Sequence, residues 1–399
     1  MSKWGMVYLM LNGIRVVDFS RYLPGPYATQ RLADMGAEVI KVEPPKTGDP
    51  ARSVGDHLNG TGLVYLANNR NKKSVSINLK EPAGREIAFQ LASKADVVIE
   101  GFRPGVADAL GIGYKSLKQI RPNLVYCSLT GYGQTGPLRN LGGHDLNYMA
   151  LSGVLSQLRD QEGRPVQPGI QFADLIGGIA ACEAILASLV KKQMTGEGSY
   201  LDISITDAMI GMMTGHVMIQ QVTGKGSGVP QLGGSIISYF IYETKDNRFV
   251  SLGALEKKFW ENFCRAVGRE DWIADHFSPA AENNQTFLDI KALFKTRTFA
   301  EWSQFSLEVD CCMAPVLDTG EMIQHPHVCE KELVSNIQSN EWGTMFQTAT
   351  SAGGFGVWQL KSVDTAPPPV LSQHNREVFQ EVLNASPEQV EEWERRGII

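Results

Sequence analysis

The chain has 399 residues, a formal net charge of −6 and 43% hydrophobic residues. That balance, with no long lysine–arginine stripe, excludes a dedicated nucleic-acid binder, yet a local basic cluster can still meet a small anionic ligand. The length suits two domains with sizeable cores. The scattered cysteines Cys127, Cys182, Cys264, Cys311, Cys312 and Cys329 form no CxxC pair and no zinc spacing, so they read as reduced, mostly buried thiols.

Residues 1–10 hold no long apolar core and no cleavage site, and no apolar run is expected to reach the ~20 residues of a membrane span. A cytoplasmic protein without a membrane or nucleic-acid partner is expected. In chain order, Ile14–Phe19 reads as a buried strand, Pro24-Gly25-Pro26 as punctuation, and Tyr27–Met35 as a helix stopped by Gly36. Glu38–Val42 and Val75–Leu79 are further strands. The spacing of Ile87, Phe89, Leu91 and Ala92 predicts a helix over Glu81–Ala95, with Pro82 in its first turn. Val97–Ile99 and Leu124–Leu129 are strands separated by a helix at Tyr114–Ile120. Strands alternating with helices imply an α/β fold with a mainly parallel, Rossmann-like sheet, whose ligands bind at the carboxyl ends of strands.

A long apolar helix is expected over Leu175–Gln193, then a strand at Tyr200–Ile205 and a Met-rich helix at Thr206–Gln221. A loop with five glycines in eleven residues follows, Gly224–Gly234. Ile236–Thr244 and Arg248–Leu252 flank Lys245-Asp246-Asn247 as a hairpin. Helices at Lys257–Val267, Asn284–Lys295 and Phe299–Val309 and a strand near Met313–Leu317 complete a smaller α+β domain. The expected division is 1–205 for the first part of a large domain, 206–330 for the small domain, and 331–399 for a return segment completing the large one. Pro367-Pro368-Pro369 breaks the chain, and Ser386-Pro387-Glu388-Gln389 is a capping box opening a last helix that Gly397 stops.

Walker, GxSxG, HExxH and strand-borne GxGxxG patterns are missing, so no metal, ATP or nicotinamide chemistry is suggested. Polar residues in apolar or glycine-rich settings remain. Asp174, at the mouth of the long helix, reads by itself most simply as an N-cap. Its apolar flanks and the Gly177-Gly178 pair, which weakens a first turn unless something approaches closely, argue for more. His144-Asp145 follows Gly142-Gly143, and is read evenly as an active pair or as a helix start capped by Asp145. Glu256 reads by itself as a solvated or helix-capping carboxylate, and the cluster Arg70, Lys72, Lys73 and Lys80 as solvated charge, although a phosphate-rich ligand would suit the cluster, with Arg103 in the Gly101–Gly105 loop.

These segments together resemble the class III CoA-transferase (CaiB/BaiF-type) family. The resemblance runs through Leu11–Phe19, Gly36–Glu43, Asn69–Ser74, Asp96–Gly105, Gly131–Pro137 and Thr195–Gly198. The family's catalytic aspartate matches Asp174. Gly143-His144-Asp145-Leu146-Asn147-Tyr148 is similar to the α-methylacyl-CoA racemase branch, where transferases often carry Tyr in place of His144, and the racemase-type glutamate matches Glu256. The family's coenzyme A contacts map onto Leu23, Pro24, Ile77, Asn78, Leu79, Lys80, Gly101, Phe102 and Arg103. Two positions that frequently hold a phosphate-binding arginine are Pro44 and Ala109 here, which leaves Arg103 or Lys46 to meet the phosphates.

The resemblance implies racemisation of a 2-methylacyl-CoA by two bases, His144 and Asp174, on opposite faces of the α-carbon. Glu256 and Asp145 would orient or charge the histidine, and backbone N–H groups after Asp174 would hold the enolate oxygen. Coenzyme A enters as part of the substrate, with no other cofactor. The rival is CoA transfer between carboxylic acids through an aspartyl-CoA thioester on Asp174, with Gly224–Gly234 as a lid. The family also implies a homodimer of interlocked rings, in which Glu256 could face Asp174 of the partner chain.

Overall fold

The computed structural model describes residues 10–160, 162–349 and 365–399; residues 1–9, including most of the N-terminal stretch read above, lie outside the described residues. The chain divides into two compact units, with boundaries at Met213/Thr214 and Cys329/Glu330.

The first unit is built on six parallel strands: β1 (Arg15–Asp18), β2 (Glu38–Glu43), β3 (Lys72–Ser76), β4 (Val97–Glu100), β5 (Val125–Thr130) and β6 (Ser199–Ser204). Their order is β3-β2-β1-β4-β5-β6. The chain reverses direction across the sheet between β1 and β4, and such a switch point opens a crevice beyond the carboxyl ends of its two strands. Alternate strand residues feed two cores. Val17, Ile40 and Val98 face α2 (Pro82–Ser93), α3 (Tyr114–Ile120) and two C-terminal helices, Asn375–Leu383 and Pro387–Arg395. Val16, Val39 and Ile99 face α1 (Pro24–Asp34), α4 (Asp145–Leu151), α5 (Phe172–Thr195) and α6 (Ile205–Gly211).

The C-terminal segment is stitched to β3. His374 Nδ1 accepts the Ser74 N–H at 3.1 Å and Asn375 Oδ1 the Ser76 N–H at 2.8 Å. The last helix has the expected box, Ser386 and Gln389 satisfying each other's backbone N–H groups.

The second unit carries a three-stranded antiparallel sheet of Tyr239–Glu243, Phe249–Gly253 and Met313–Pro315, covered by helices Lys257–Ala266, Gln285–Phe294 and Phe299–Glu308 around Trp260, Phe294 and Trp302.

Several elements differ from expectation. α1 begins at Pro24, because prolines in a first turn lack an N–H that would go unpaired there anyway. β3 lies three residues earlier than Val75–Leu79, since its Lys72, Ser74 and Ser76 are buried in a polar layer rather than solvated. The Met-rich helix is broken at Met212-Met213 into Ile205–Gly211 and Thr214–Thr223, with Gly211 and Gly215 weakening the join. A hairpin of Val334–Ser339 and Gly343–Thr348 had no expected counterpart. α5 is, by length and composition, apolar enough to cross a membrane. The expectation that no run is long enough therefore fails; the helix instead packs Gly177, Gly178, Ala181 and Ile185 into the core.

The basic cluster is mostly interior, not solvated. The Arg70 guanidinium forks onto Asp34 at 3.0 and 2.6 Å. Lys72 Nζ lies 3.6 Å from Asp18 and donates to Pro26 O and Asn69 Oδ1. Lys73 bridges Glu38 and Glu377. Lys80 alone of the four is exposed.

Candidate active site

Asp174 occupies the third position of α5, whose N-cap is Gln171. It is not the cap of its own helix. Asp145 is: its Oδ1 accepts the N–H of Ala173 at 2.7 Å and of Asp174 at 3.1 Å. A carboxylate 29 residues upstream thus takes up two of the orphan amides of the first turn. The Asp174 carboxyl is partly buried, and burial first, then the nearby Asp145 charge, pushes it up to about 7. Desolvation outweighs the helix dipole, which acts in the opposite sense.

The glycine pair beyond Asp174 serves packing. A Cβ on Gly178 would stand 2.6 Å from the Pro24 carbonyl oxygen, and one on Gly177 2.8 Å from the Ile205 side chain. The start of α5 is thereby pressed against the start of α1. Because the obstacle at Gly178 is backbone, Gly178→Ala is expected to cost about 1–3 kcal/mol and to raise KM for an acyl-CoA; thermal melting and initial-rate kinetics check both.

His144 is exposed and is the N-cap residue of α4; its N–H donates to Asn147 Oδ1 at 3.0 Å. The preceding Gly143 must be glycine, because a Cβ there would lie 2.7 Å from the Tyr148 ring and 2.8 Å from the Tyr132 hydroxyl. Asp145 therefore caps α5 rather than α4, and its carboxylate is turned to the Asp174 helix rather than spent on orienting His144. The bond from Asp145 also fixes the His144 turn to the first turn of Asp174. One further expectation is corrected. The first-turn amides of α5 are already engaged: Phe172 N–H on Ile170 O, Ala173 and Asp174 on Asp145, and Leu175 on Gln171 O. They are not free to hold an enolate oxygen.

Glu256 is exposed at the N-cap position of Lys257–Ala266 in the second unit. Its loop is held there by His276, whose Nε2 lies 2.7 Å from Ala254 O. Asp174, Asp145 and His144 are brought together within the first unit; Glu256 belongs to the other.

The residues matched to coenzyme A contacts lie at the carboxyl edge of the sheet. Leu23 and Pro24 follow β1, Gly101, Phe102 and Arg103 follow β4, and Ile77, Asn78, Leu79 and Lys80 follow β3. Ile77 is buried, whereas Lys80 and Arg103 are exposed. Arg21 stacks over the Phe102 ring at 5.2 Å. The Arg103 guanidinium reaches the His144 turn, 3.2 Å from where a Gly142 Cβ would stand. An open groove of about 550 Å³ near this edge is lined by Pro82, Arg85, Phe89, Asp108 and Ala109.

Beneath these loops sit buried charges of which only Lys72 stood out in the sequence, and there as solvated charge. Asp18 Oδ1 accepts the Ser20 N–H at 2.8 Å, Lys41 Nζ donates to Ser20 O at 3.0 Å, and Asp49 Oδ1 accepts the N–H of Tyr22. Burial draws Lys72 down to about 7, against the pull of Asp18. Glu100, 2% exposed, accepts the Phe102 N–H at 2.7 Å, and burial lifts it to about 7. The available signal was a charged residue inside an apolar strand, Asp18 in RVVD and Lys41 in EVIKVE.

The comparisons agree with this architecture. The description "CoA-transferase family III" matches residues 11–375. The human succinyl-CoA:glutarate CoA-transferase is 31% identical over 400 residues, covering 98% of this chain and 90% of the relative. The human alpha-methylacyl-CoA racemase is 32% identical over 339 residues, covering 84% of each. A CAIB/BAIF family protein from Brucella suis superposes with a TM-score of 0.79 at 26% identity, over 93% of this chain and 99% of that one. With its six-stranded parallel sheet and a family match over most of its length, the chain belongs to CoA-transferase family III.

Proposed function

We propose that the protein racemises 2-methylacyl-CoA thioesters by 1,1-proton transfer. His144 takes the α-proton from one face, the C–H electron pair moves onto the thioester oxygen as an enolate, and protonated Asp174 returns a proton to the other face. The roles reverse in the opposite direction. The observation that carries this reading is geometric: Asp174 is partly buried at the start of α5 and joined through Asp145 to the turn bearing His144, and burial pushes its carboxyl up to about 7. A group half protonated near neutrality both accepts and donates protons well, which a permanently ionised nucleophile does not. The proposed step needs no metal or redox cofactor; coenzyme A arrives with the substrate.

A homodimer is part of the proposal. Only 39% of the most apolar stretch of α5 is buried within the chain, and Ile179, Val190 and Met194 are exposed on it. Val217, Met218 and Val222 on Thr214–Thr223 are exposed too. Exposed apolar side chains grouped along a helix suit an interface, and a partner chain would then present its Glu256 to Asp174.

CoA transfer between carboxylic acids is the second reading, favoured by the near full-length match to the succinyl-CoA:glutarate enzyme. There Asp174 is the nucleophile and His144 has no required part. A 2-methylacyl-CoA incubated in D₂O without an acceptor acid separates the two. Deuterium at the α-carbon is expected, lost from one enantiomer in His144→Ala and from the other in Asp174→Asn. Absence of exchange, with hydroxylamine trapping of Asp174 once an acceptor acid is added, establishes transfer instead.

A further inference from the structure

Two-base proton transfer requires His144 to be aimed, and its own surroundings do little to aim it. The residue is exposed, follows two glycines and begins a helix of seven residues. Tyr148, four residues on, is buried and does the holding. Its hydroxyl donates to the Gly143 carbonyl at 2.5 Å, the peptide group immediately before His144. Its ring fills the space that a side chain would need at two glycine turns: a Cβ on Gly131 or on Gly143 would stand 2.5 or 2.7 Å from Cε1. Tyr132 closes the remaining edge, with ring centroids 5.3 Å apart and planes at 79°.

The wedge is anchored in turn. Gly131 O accepts the Thr206 N–H at 3.1 Å and the Thr206 hydroxyl at 2.8 Å. Burial first, and then the Asp174 charge, raises the Tyr148 phenol to about 12. The hydroxyl thus keeps its proton across the working pH range, so this bond does not titrate.

We infer that Tyr148 is a positioning residue that aims His144 at its face of the substrate α-carbon, through the bond from its hydroxyl to the Gly143 carbonyl. The assignment rests on the two-base reading above. Asp174 has a second clamp that Tyr148 does not touch, the close approach of α5 to α1 at Gly178 and Pro24. Loss of the tyrosine hydroxyl must therefore fall on one face of the reaction and spare the other, which a general structural defect would not do.

Tyr148→Phe keeps the ring and removes only the hydroxyl. The measurement is initial loss of the α-hydrogen into D₂O from each enantiomer of a 2-methylacyl-CoA, with His144→Ala identifying the enantiomer that depends on the histidine. Misplacement of a reacting group by ~1 Å costs on the order of 100-fold, so Tyr148→Phe is expected to slow that enantiomer about 10- to 100-fold while changing its KM and the other enantiomer by no more than about threefold. Equal loss on both sides, or none on either, overturns the assignment. If Tyr148→Phe proves poorly folded by thermal melting, Gly143→Ala decides: it retains the hydroxyl but displaces the peptide, the same one-sided loss is expected, and an even loss overturns the assignment. A wild-type enzyme that exchanges neither enantiomer overturns the two-base reading, and this assignment with it.

Discussion

Asp174→Asn is expected to lower racemisation, and α-proton exchange of the enantiomer that Asp174 deprotonates, by about 10³-fold or more, the range that a positioned acid–base group supplies, while making the folded protein more stable above neutrality. Both effects come from one cause. Burial and the Asp145 charge lift the carboxyl from 3.8 to about 7. A carboxyl raised in the folded state favours folding below its unfolded pKa, and that contribution is lost as pH rises through the folded value. At ~1.36 kcal/mol per pKa unit the loss is about 4 kcal/mol at most. Asparagine cannot ionise and escapes it. Denaturant unfolding of the two proteins should therefore coincide near pH 4 and diverge by pH 8, with the variant ahead. An asparagine variant that loses both activity and stability at pH 8 contradicts the account.

The same carboxyl predicts one pH profile shared by both directions. Each direction needs one of the two bases free and the other protonated, and these two forms carry the same number of protons, so kcat/KM follows the same profile from either enantiomer, with a limb set by Asp174 near pH 7. Asp145→Asn keeps an oxygen to accept the Ala173 and Asp174 amides but removes the like charge. That limb then moves to lower pH, and burial, the larger cause, holds it above the ordinary carboxylate range.

Arg70→Met is expected to cost about 3–5 kcal/mol, a large share of the ~5–15 kcal/mol that holds a typical domain together. Arg70 is 1% exposed, forks onto Asp34 and donates from Nη1 to Gln347 Oε1 at 2.7 Å. Gln347 in turn donates to Leu66 O at 2.8 Å, so the Val334–Thr348 hairpin is hung from this guanidinium. Methionine leaves the Asp34 carboxylate buried without its fork. Arg70→Met with Asp34→Leu removes both charges and should recover much of the loss, because an apolar pair needs no compensation. Equilibrium unfolding in urea measures both, and a single variant within about 1 kcal/mol of the parent refutes the burial argument.

The contrast between legible and illegible parts of the molecule is physical. β1, β2, β4 and β5 each carry a buried apolar stretch, Val16-Val17, Val39-Ile40, Val97-Val98-Ile99 and Val125-Tyr126-Cys127, and such stretches announce themselves even beside Asp18 and Lys41. β3 does not, because its inward residues are Lys72, Ser74 and Ser76, and a polar layer imitates a surface. The Val334–Thr348 hairpin is equally quiet, since it buries little beyond Ile337, Trp342 and Met345. Asp174 and His144 stood out through their glycines and their resemblance to the family. The work of Asp145 was hidden, because which amide a carboxylate reaches across 29 residues is a tertiary fact. Tyr148 was hidden likewise: it quotes as part of a motif, and only the fold shows its ring between Gly131 and Gly143.

The contact of Gly178 with Pro24 sets a fixed ruler inside the first unit. One end of the ruler is the loop matched to the coenzyme, which every acyl-CoA shares. The other end is Asp174, one helical turn away. On the proposed reading, a rigid span between handle and acid would let the acyl portion vary without re-tuning the distance at which the thioester meets the carboxyl.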